Sequence, residues 1–211
     1  KSVIVDLYDE IELDWAFYER SFASGTSVRV GRVPLPFGIY NELRDVGTVL
    51  EFYRPPIGIY FEGAFSNESV DGIVLSHRFD SRYPLSVDVF YGGWDRTEAS
   101  APLTQAAIAT VDDAYGLQLW WDTPVEGLRV GAAAQSWETR DGLPTLRFSE
   151  EDPSDVYLLS LNLDRERFYV RAEAERLETR ISDLPELEYE SWYVQAGLRL
   201  GAWGLNALYE E

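Results

Sequence analysis

Hydrophobic and polar residues alternate along most of this chain, a pattern typical of strands that have two different faces. The stretch 115–137, YGLQLWWDTPVEGLRVGAAAQSW, contains two alternating segments separated by a turn. Its apolar face carries Tyr115, Leu117, Leu119, Trp121, Leu128, Val130, Ala132 and Ala134. Its other face carries Gly116, Gln118, Asp122, Arg129, Gly131 and Gln135. The pattern predicts a β-hairpin, and it leaves open whether the apolar face points at a packed core or at lipid.

The same alternation predicts about ten strands, each close to the length of a membrane-crossing strand. They are residues 10–18, 27–32, 70–79, 85–94, 115–122, 128–137, 156–163, 168–178, 189–200 and 202–211.

Short turns at 23–26, 80–84, 123–127, 164–167 and 201 alternate with long connections at 33–69, 95–112, 138–154 and 179–188. In a meander, all the long connections then lie at one end of the sheet, as in outer-membrane barrels. A soluble up-and-down barrel that is open at one end would share this asymmetry. We expect an all-β fold, an antiparallel up-and-down transmembrane β-barrel, with residues 1–211 forming one domain.

The polar faces of the predicted strands carry charged side chains. A water-filled lumen accommodates such charges, whereas an apolar core would have to desolvate them. The pore-lining candidates are Asp14, Asp88, Arg129, Arg171, Glu173, Glu175 and Arg199.

Large aromatic residues lie toward the ends of the apolar faces, where membrane strands place their interfacial girdles. The candidates for the lipid interface are Trp15, Tyr91, Tyr115, Trp121, Trp192 and Trp203. Rings of this size would also fill the core of a soluble barrel, so this observation alone does not separate the two alternatives.

Composition narrows the function classes. The chain has 211 residues and a net charge of -19, which argues against a nucleic-acid partner and favours cations, although acidity also serves solubility. No window approaches the eighteen consecutive apolar residues of a spanning helix. Cysteine is absent and His77 is the only histidine, so we expect no disulfide, no metal site and no cofactor. Pairs of carboxylates arise by chance among 37 acidic residues, and we do not expect an enzyme.

One segment resembles a known family. The run GRVPLPFGIYNELRDVG, followed by YRPPIGIY within residues 28–60, resembles proteobacterial outer-membrane porins, and the resemblance covers about residues 26–94. It implies a passive channel that is commonly a homotrimer, with the long loop 33–69 folded into the lumen as a constriction. The constriction candidates are Glu42, Arg44, Asp45, Glu51 and Arg54. Alternatively, Arg44 and Asp45 pair with each other or cap a turn of the loop.

These observations give a hypothesis: a porin of the bacterial outer membrane, in contact with lipid and lipopolysaccharide, that passes small hydrophilic solutes and prefers cations. Members of the family are longer than 211 residues, and a closed ten-stranded barrel is narrow. We therefore expect this chain to be part of a larger barrel, incomplete at both ends. Two alternatives stay open: a soluble, lipocalin-like barrel that binds a small ligand, and a non-conducting structural or receptor barrel of the outer membrane.

Overall fold

The computed structural model describes residues 4–5, 11–12, 15–44, 46, 50–60, 68–98, 107–141, 153–179 and 187–211. The strands are β1 (Ile4–Val5), β2 (Ile11–Glu12), β3 (Ala16–Ser21), β4 (Thr26–Pro34), β5 (Ser69–Phe79), β6 (Leu85–Glu98), β7 (Ala107–Asp122), β8 (Leu128–Asp141), β9 (Ser154–Asp164), β10 (Phe168–Thr179), β11 (Leu187–Leu200) and β12 (Trp203–Glu210). A 3-10 turn at Asn41–Leu43 and the four-residue helix α1 (Ile57–Tyr60) lie between β4 and β5. Within the described ranges, no helix has the length and apolarity needed to cross a membrane.

Strands β3 to β12 form one antiparallel sheet in which every strand pairs with its neighbours in the sequence. The predicted all-β meander of ten strands is confirmed. Strands β1 and β2 form a separate two-stranded ladder. Within the described residues β3 and β12 do not pair with each other, so the sheet is not closed there.

The prediction for the first strand is wrong in its position. We expected residues 10–18, whereas β3 begins at Ala16 and Ile11–Glu12 pairs with β1. Alternation along residues 10–18 puts Phe17 on the same apolar face as Ile11, Leu13 and Trp15, but Phe17 lies opposite Gly31, with the guanidinium of Arg29 5.9 Å from its ring centre. The aromatic ring therefore packs on the polar side of the sheet, where glycine leaves room for it.

The two faces of the sheet have opposite environments. Residues 35–60, where described, fold over one face, which we call the covered face; the opposite side is the exposed face. The covered face carries the polar set predicted from the alternation, including Gln118, Gln135, Glu173 and Gln195, all of which are buried. The exposed face carries the apolar set. The question raised by residues 115–137 thus has an answer: the apolar face points outward.

The exposed face is an apolar band between two rows of aromatic rings. The row at the end of the long connections comprises Tyr91, Tyr115, Tyr157, Trp192 and Tyr209, and the row at the end of the tight turns comprises Phe79, Trp121, Phe168 and Trp203. Between the rows, the outward side chains of β6 to β12 are apolar, and Leu159 at the centre is 66% exposed. Tyr115 and Trp121 are six residues apart on β7, about 20 Å along a strand.

Charged side chains return to the exposed face immediately beyond the loop-end row. Arg176 lies 2.8 Å from Glu178 and 3.3 Å from Glu188 across the β10–β11 pair. The exposed apolar band therefore has a sharp polar boundary, unlike the scattered apolar residues of an ordinary protein surface.

Three aromatic side chains on the covered face lie over glycines of the neighbouring strand. Phe90 pairs with Gly116, Trp120 with Gly131 and Tyr169 with Gly197. A Cβ atom added at any of these glycines would collide with the partner ring. Because glycine has no side chain, each ring can lie across the neighbouring strand. The rings then project less from the covered face, which leaves space for the long loop to pack on it.

Replacing Gly116 with Ala should therefore displace the Phe90 ring and lower the free energy of unfolding by about 1–3 kcal/mol, measured by denaturant titration. Gly204→Ala is the matched control, because nothing lies within 4 Å of a Cβ atom there. Equal stability of Gly116→Ala and Gly204→Ala would show that the ring does not need the glycine.

Candidate functional site: the long loop on the covered face

The long loop (residues 35–68, of which 35–44, 46, 50–60 and 68 are described) packs onto the covered face near the loop end. Leu35, Phe37, Tyr40, Ile59 and Tyr60 from this loop are buried. They form one core with side chains of the covered face, among them Val74, Phe90, Trp137, Leu158 and Tyr193. Half of the polar face is thereby closed by a packed apolar core.

Glu173 on β10 accepts the hydrogen bonds that hold the loop, and we call this carboxylate the hub. Only 3% of the residue is exposed. One carboxylate oxygen accepts hydrogen bonds from the backbone N–H of Ile39 (2.9 Å) and from the hydroxyl of Ser160 (2.5 Å). The other accepts hydrogen bonds from the hydroxyls of Tyr193 (2.7 Å) and Tyr60. Four donors thus satisfy one buried carboxylate, and two of them belong to the loop.

Gly38 allows the loop to reach this hub. Its φ is +67°, and a Cβ atom there would lie 2.8 Å from the Glu173 carboxylate and 2.9 Å from Leu158, besides colliding with the Tyr60 hydroxyl. Only glycine fits a left-handed conformation this close to other atoms. The close approach of the loop to Glu173 therefore explains the glycine in the PFG sequence at residues 36–38.

A second group of contacts joins Glu51 of the loop to the sheet. Arg171 lies 2.6 Å from Glu51 and donates a hydrogen bond to the Tyr40 hydroxyl (2.8 Å). That hydroxyl donates to Gln195 (2.6 Å), and burial raises the pKa of Tyr40 to about 12, so it keeps its proton at neutral pH. The guanidinium of Arg171 also lies 5.5 Å and 5.0 Å from the ring centres of Tyr40 and Tyr169.

The loop is braced internally by Arg44, which is buried. Its guanidinium lies 2.9 Å from Glu68 and donates to the Asn41 side chain at 2.8 Å. Asn41 in turn donates to the Leu35 carbonyl (2.9 Å). Arg44 therefore holds the two ends of the loop together rather than projecting into open space.

Near β12 the loop has a third attachment. Arg54 lies 3.0 Å from Glu210, and the backbone N–H of Ile57 donates to the same carboxylate at 2.8 Å. The first turn of α1 is thus fixed to the last strand of the sheet.

The predicted constriction residues lie on the loop but are paired. Glu42 binds Arg29 of β4 at 2.7 Å, and the partners of Arg44, Glu51 and Arg54 are given above. Arg44 contacts Glu68 and Asn41. The alternative in which it pairs with Asp45 or caps a turn stays a prediction, because Asp45 lies outside the described residues.

The predicted pore-lining residues share the covered face wherever they are described: Asp88, Arg129, Arg171, Glu173, Glu175 and Arg199. Asp14 lies outside the described residues. Of the predicted interfacial aromatics, Tyr91, Tyr115, Trp121, Trp192 and Trp203 are on the exposed face. Trp15 instead lies beside Phe17, with ring centres 5.8 Å apart, away from the aromatic rows.

A polar cavity of about 570 Å³ lies between the loop and the tight-turn end of the sheet. Loop residues Gly38, Ile39, Tyr40, Glu42 and Leu43 line one side of it. The covered face supplies the rest, including Asp88, Gln118, Trp120, Arg129, Asn162 and Arg171. The covered face is thus packed toward the loop end and hollow toward the turn end.

The arginines of the covered face and the long loop are paired with carboxylates. Arg29, Arg44, Arg54, Arg78, Arg129, Arg171 and Arg199 each form an ion pair with a carboxylate, and Arg78 and Arg129 share Asp122. Asp88, Glu173 and Glu175 have no basic partner among the described residues. Of these three, Asp88 lines the cavity, so the carboxylate that is left unpaired there is that of Asp88.

Among the described residues, no group of three or more His, Cys, Asp or Glu side chains is arranged to hold a metal ion. His77 lies on the exposed face with its Nδ1 2.7 Å from the Thr26 hydroxyl. Comparison of the sequence with protein-family models and with curated proteins finds no match in either.

Sequence reasoning missed the hub. The alternation places Glu173 on the polar face, but it does not predict Tyr60, Tyr193 and Ser160 as its hydrogen-bond partners. The one available signal was Gly38 between aromatic residues in a long loop, which indicates a close approach of backbone to another element.

Replacing Glu173 with Gln should loosen the loop, because an amide N–H₂ group would then face hydrogen-bond donors in a buried site. We expect trypsin cleavage after Arg44, identified by mass spectrometry, to be at least about tenfold faster than in the native protein.

Glu178→Gln is the control for this experiment, since Glu178 is on the same strand but pairs with Arg176 on the exposed face. An unchanged cleavage rate in Glu173→Gln would show that this carboxylate does not hold the loop.

Proposed function

We propose that this protein is an outer-membrane porin, a passive diffusion channel for small hydrophilic solutes with a preference for cations. The observation that carries the proposal is the inverted polarity of the sheet: the covered face is polar, and the exposed face is an apolar band between two aromatic rows. Water-soluble sheets bury the apolar face, whereas strands in a bilayer present it to lipid and place aromatic rings at the two interfaces.

Two further features support a membrane barrel. All tight turns lie at one end of the meander and all long connections at the other, as in outer-membrane proteins. In lipid the free edges of β3 and β12 would leave backbone groups without hydrogen bonds, so a membrane-embedded sheet must have both edges paired. We therefore propose that the described sheet is part of a closed barrel.

The channel and its selectivity rest on the covered face. The polar cavity beside the long loop supplies a wet surface, and the unpaired carboxylate of Asp88 in its lining favours cations. The long loop, attached through Glu173, Arg171 and Glu210, would narrow the passage. Beyond the loop-end row, Glu178, Glu188 and Glu190 would face the lipopolysaccharide headgroups.

One observation favours a second candidate, a non-conducting structural or receptor barrel. The loop-side half of the covered face is closed by an apolar core that includes Phe37, Tyr60 and Tyr193. In a non-conducting barrel this core would be a plug instead of a constriction. The two candidates make the same prediction for lipid contact and opposite predictions for conductance.

Lipid contact is tested by Leu159→Arg in protein folded into phospholipid vesicles. We expect the free energy of unfolding to fall by about 2–4 kcal/mol, because an arginine near the bilayer midplane is costly. The control is Val125→Arg, at an exposed apolar residue in a tight turn outside the band, where we expect a change within about 0.5 kcal/mol. If Leu159→Arg were as stable as Val125→Arg, the exposed face would not be in lipid.

Conductance is tested in planar bilayers under a potassium chloride gradient. We expect stepwise conductance with a reversal potential that shows preference for potassium, and a smaller preference in Asp88→Asn, because this change removes an unpaired charge from the covered face.

Asp80→Asn, which removes an exposed charge at a tight turn, should leave the potassium preference unchanged. The absence of conductance steps would favour the plugged barrel, and a preference for chloride would contradict the proposed selectivity.

A further inference from the structure

The polar cavity contains hydrogen-bond acceptors that the protein leaves unused. Gln118 on β7 is only 4% exposed, lines the cavity, and has a side-chain oxygen without a hydrogen-bond donor. The side-chain oxygen of Asn162, also in the cavity lining, lacks a donor too. A buried amide oxygen without a partner is uncommon and costly, so each of these atoms points to a donor that comes from elsewhere.

The carboxylate of Asp88 is a further unused acceptor in the cavity lining. Asp88 on β6 lies directly across the ladder from Gln118 and lines the same cavity. It has no hydrogen bond or ion pair with any residue that the structure describes. Cross-strand partners have Cβ atoms about 5 Å apart, so one small group can contact both side chains.

The arginines that line the cavity, Arg78, Arg129 and Arg171, are each paired with a carboxylate. Arg129 lies 2.7 Å from Asp122 and 5.0 Å from the ring centre of Trp120, while Arg171 is held by Glu51 and Tyr40. The lining also leaves the Nε–H group of Arg171 without an acceptor, but the unused groups that lie side by side on β6 and β7 are one neutral oxygen and one negative charge. A ligand that satisfies them needs several hydrogen-bond donors and a positive charge.

We propose that this cavity is a binding site for small organic cations that carry a primary ammonium group, held by Asp88 and Gln118. An ammonium group offers three donors and one charge, which suit the carboxylate and the neighbouring Gln118 oxygen. A volume of about 570 Å³ leaves room for an aliphatic amine and its hydration water. The inference rests on the proposed function, because it names the class of solute that the channel would take up.

The test is calorimetric titration of the detergent-folded protein with 1,4-diaminobutane at neutral pH and 150 mM salt. The comparison ligands are butane-1,4-diol, which has the same length without charge, and succinate, which has the opposite charge. We expect saturable binding of the diamine only. Equal binding of the diol would overturn the assignment of a cation site.

Four variants separate a built site from general attraction to an acidic protein. Asp88→Asn and the charge-neutral Gln118→Leu should each weaken diamine binding at least about tenfold. Gln118→Glu keeps an acceptor and adds a charge, so it should bind the diamine more tightly, which shows that loss in Gln118→Leu is not a folding defect. Asp80→Asn, outside the cavity, should bind like the native protein.

Unchanged affinity in both Asp88→Asn and Gln118→Leu would overturn the proposal, since the diamine would then be bound elsewhere. This readout does not depend on conductance. Diamine binding without channel activity would support the binding site and contradict the porin function. Channel activity without diamine binding would support the porin function and contradict the binding site.

Discussion

A sheet that covers its polar face must give most of the polar groups buried there a hydrogen-bond partner. Because side chains alternate across the pleat, the chain cannot bury Gln195 or Glu173 without turning Val194, Ala172 and their neighbours outward. The long loop supplies two of the four donors to the Glu173 carboxylate, the backbone N–H of Ile39 and the hydroxyl of Tyr60. The position of the loop, the apolar exposed face and the polar cavity all follow from this single constraint.

The packing of the loop depends on glycines, which leave space for neighbouring atoms because they have no side chain. Gly38 lets the loop backbone approach Glu173, and Gly116, Gly131 and Gly197 let aromatic rings lie across the covered face. These glycines convert an ordinary pleated surface into one that accepts a second layer.

The fold could be predicted from the sequence because alternation is a local property that repeats in each strand. The strands from β4 onward were found this way, and the faces of residues 115–137 and 168–178 were assigned correctly. The first strand was misplaced because Phe17 looks apolar in a pattern, whereas its position depends on Gly31 of the next strand. The pairing of Glu173 with Tyr60 could not be predicted, since 113 residues separate them and no local pattern records that contact.

The most direct test of the central claim is to place one fluorophore at a time on the two faces of the sheet in lipid vesicles. The native chain lacks cysteine, so Leu159→Cys, Leu205→Cys and Asp88→Cys each provide a single attachment point for an environment-sensitive dye. We predict that dyes at positions 159 and 205 are quenched by brominated lipid acyl chains, and that the dye at position 88 is quenched by aqueous iodide instead. Aqueous quenching at 159 and 205, with no effect of brominated lipid, would contradict a lipid-facing exposed surface.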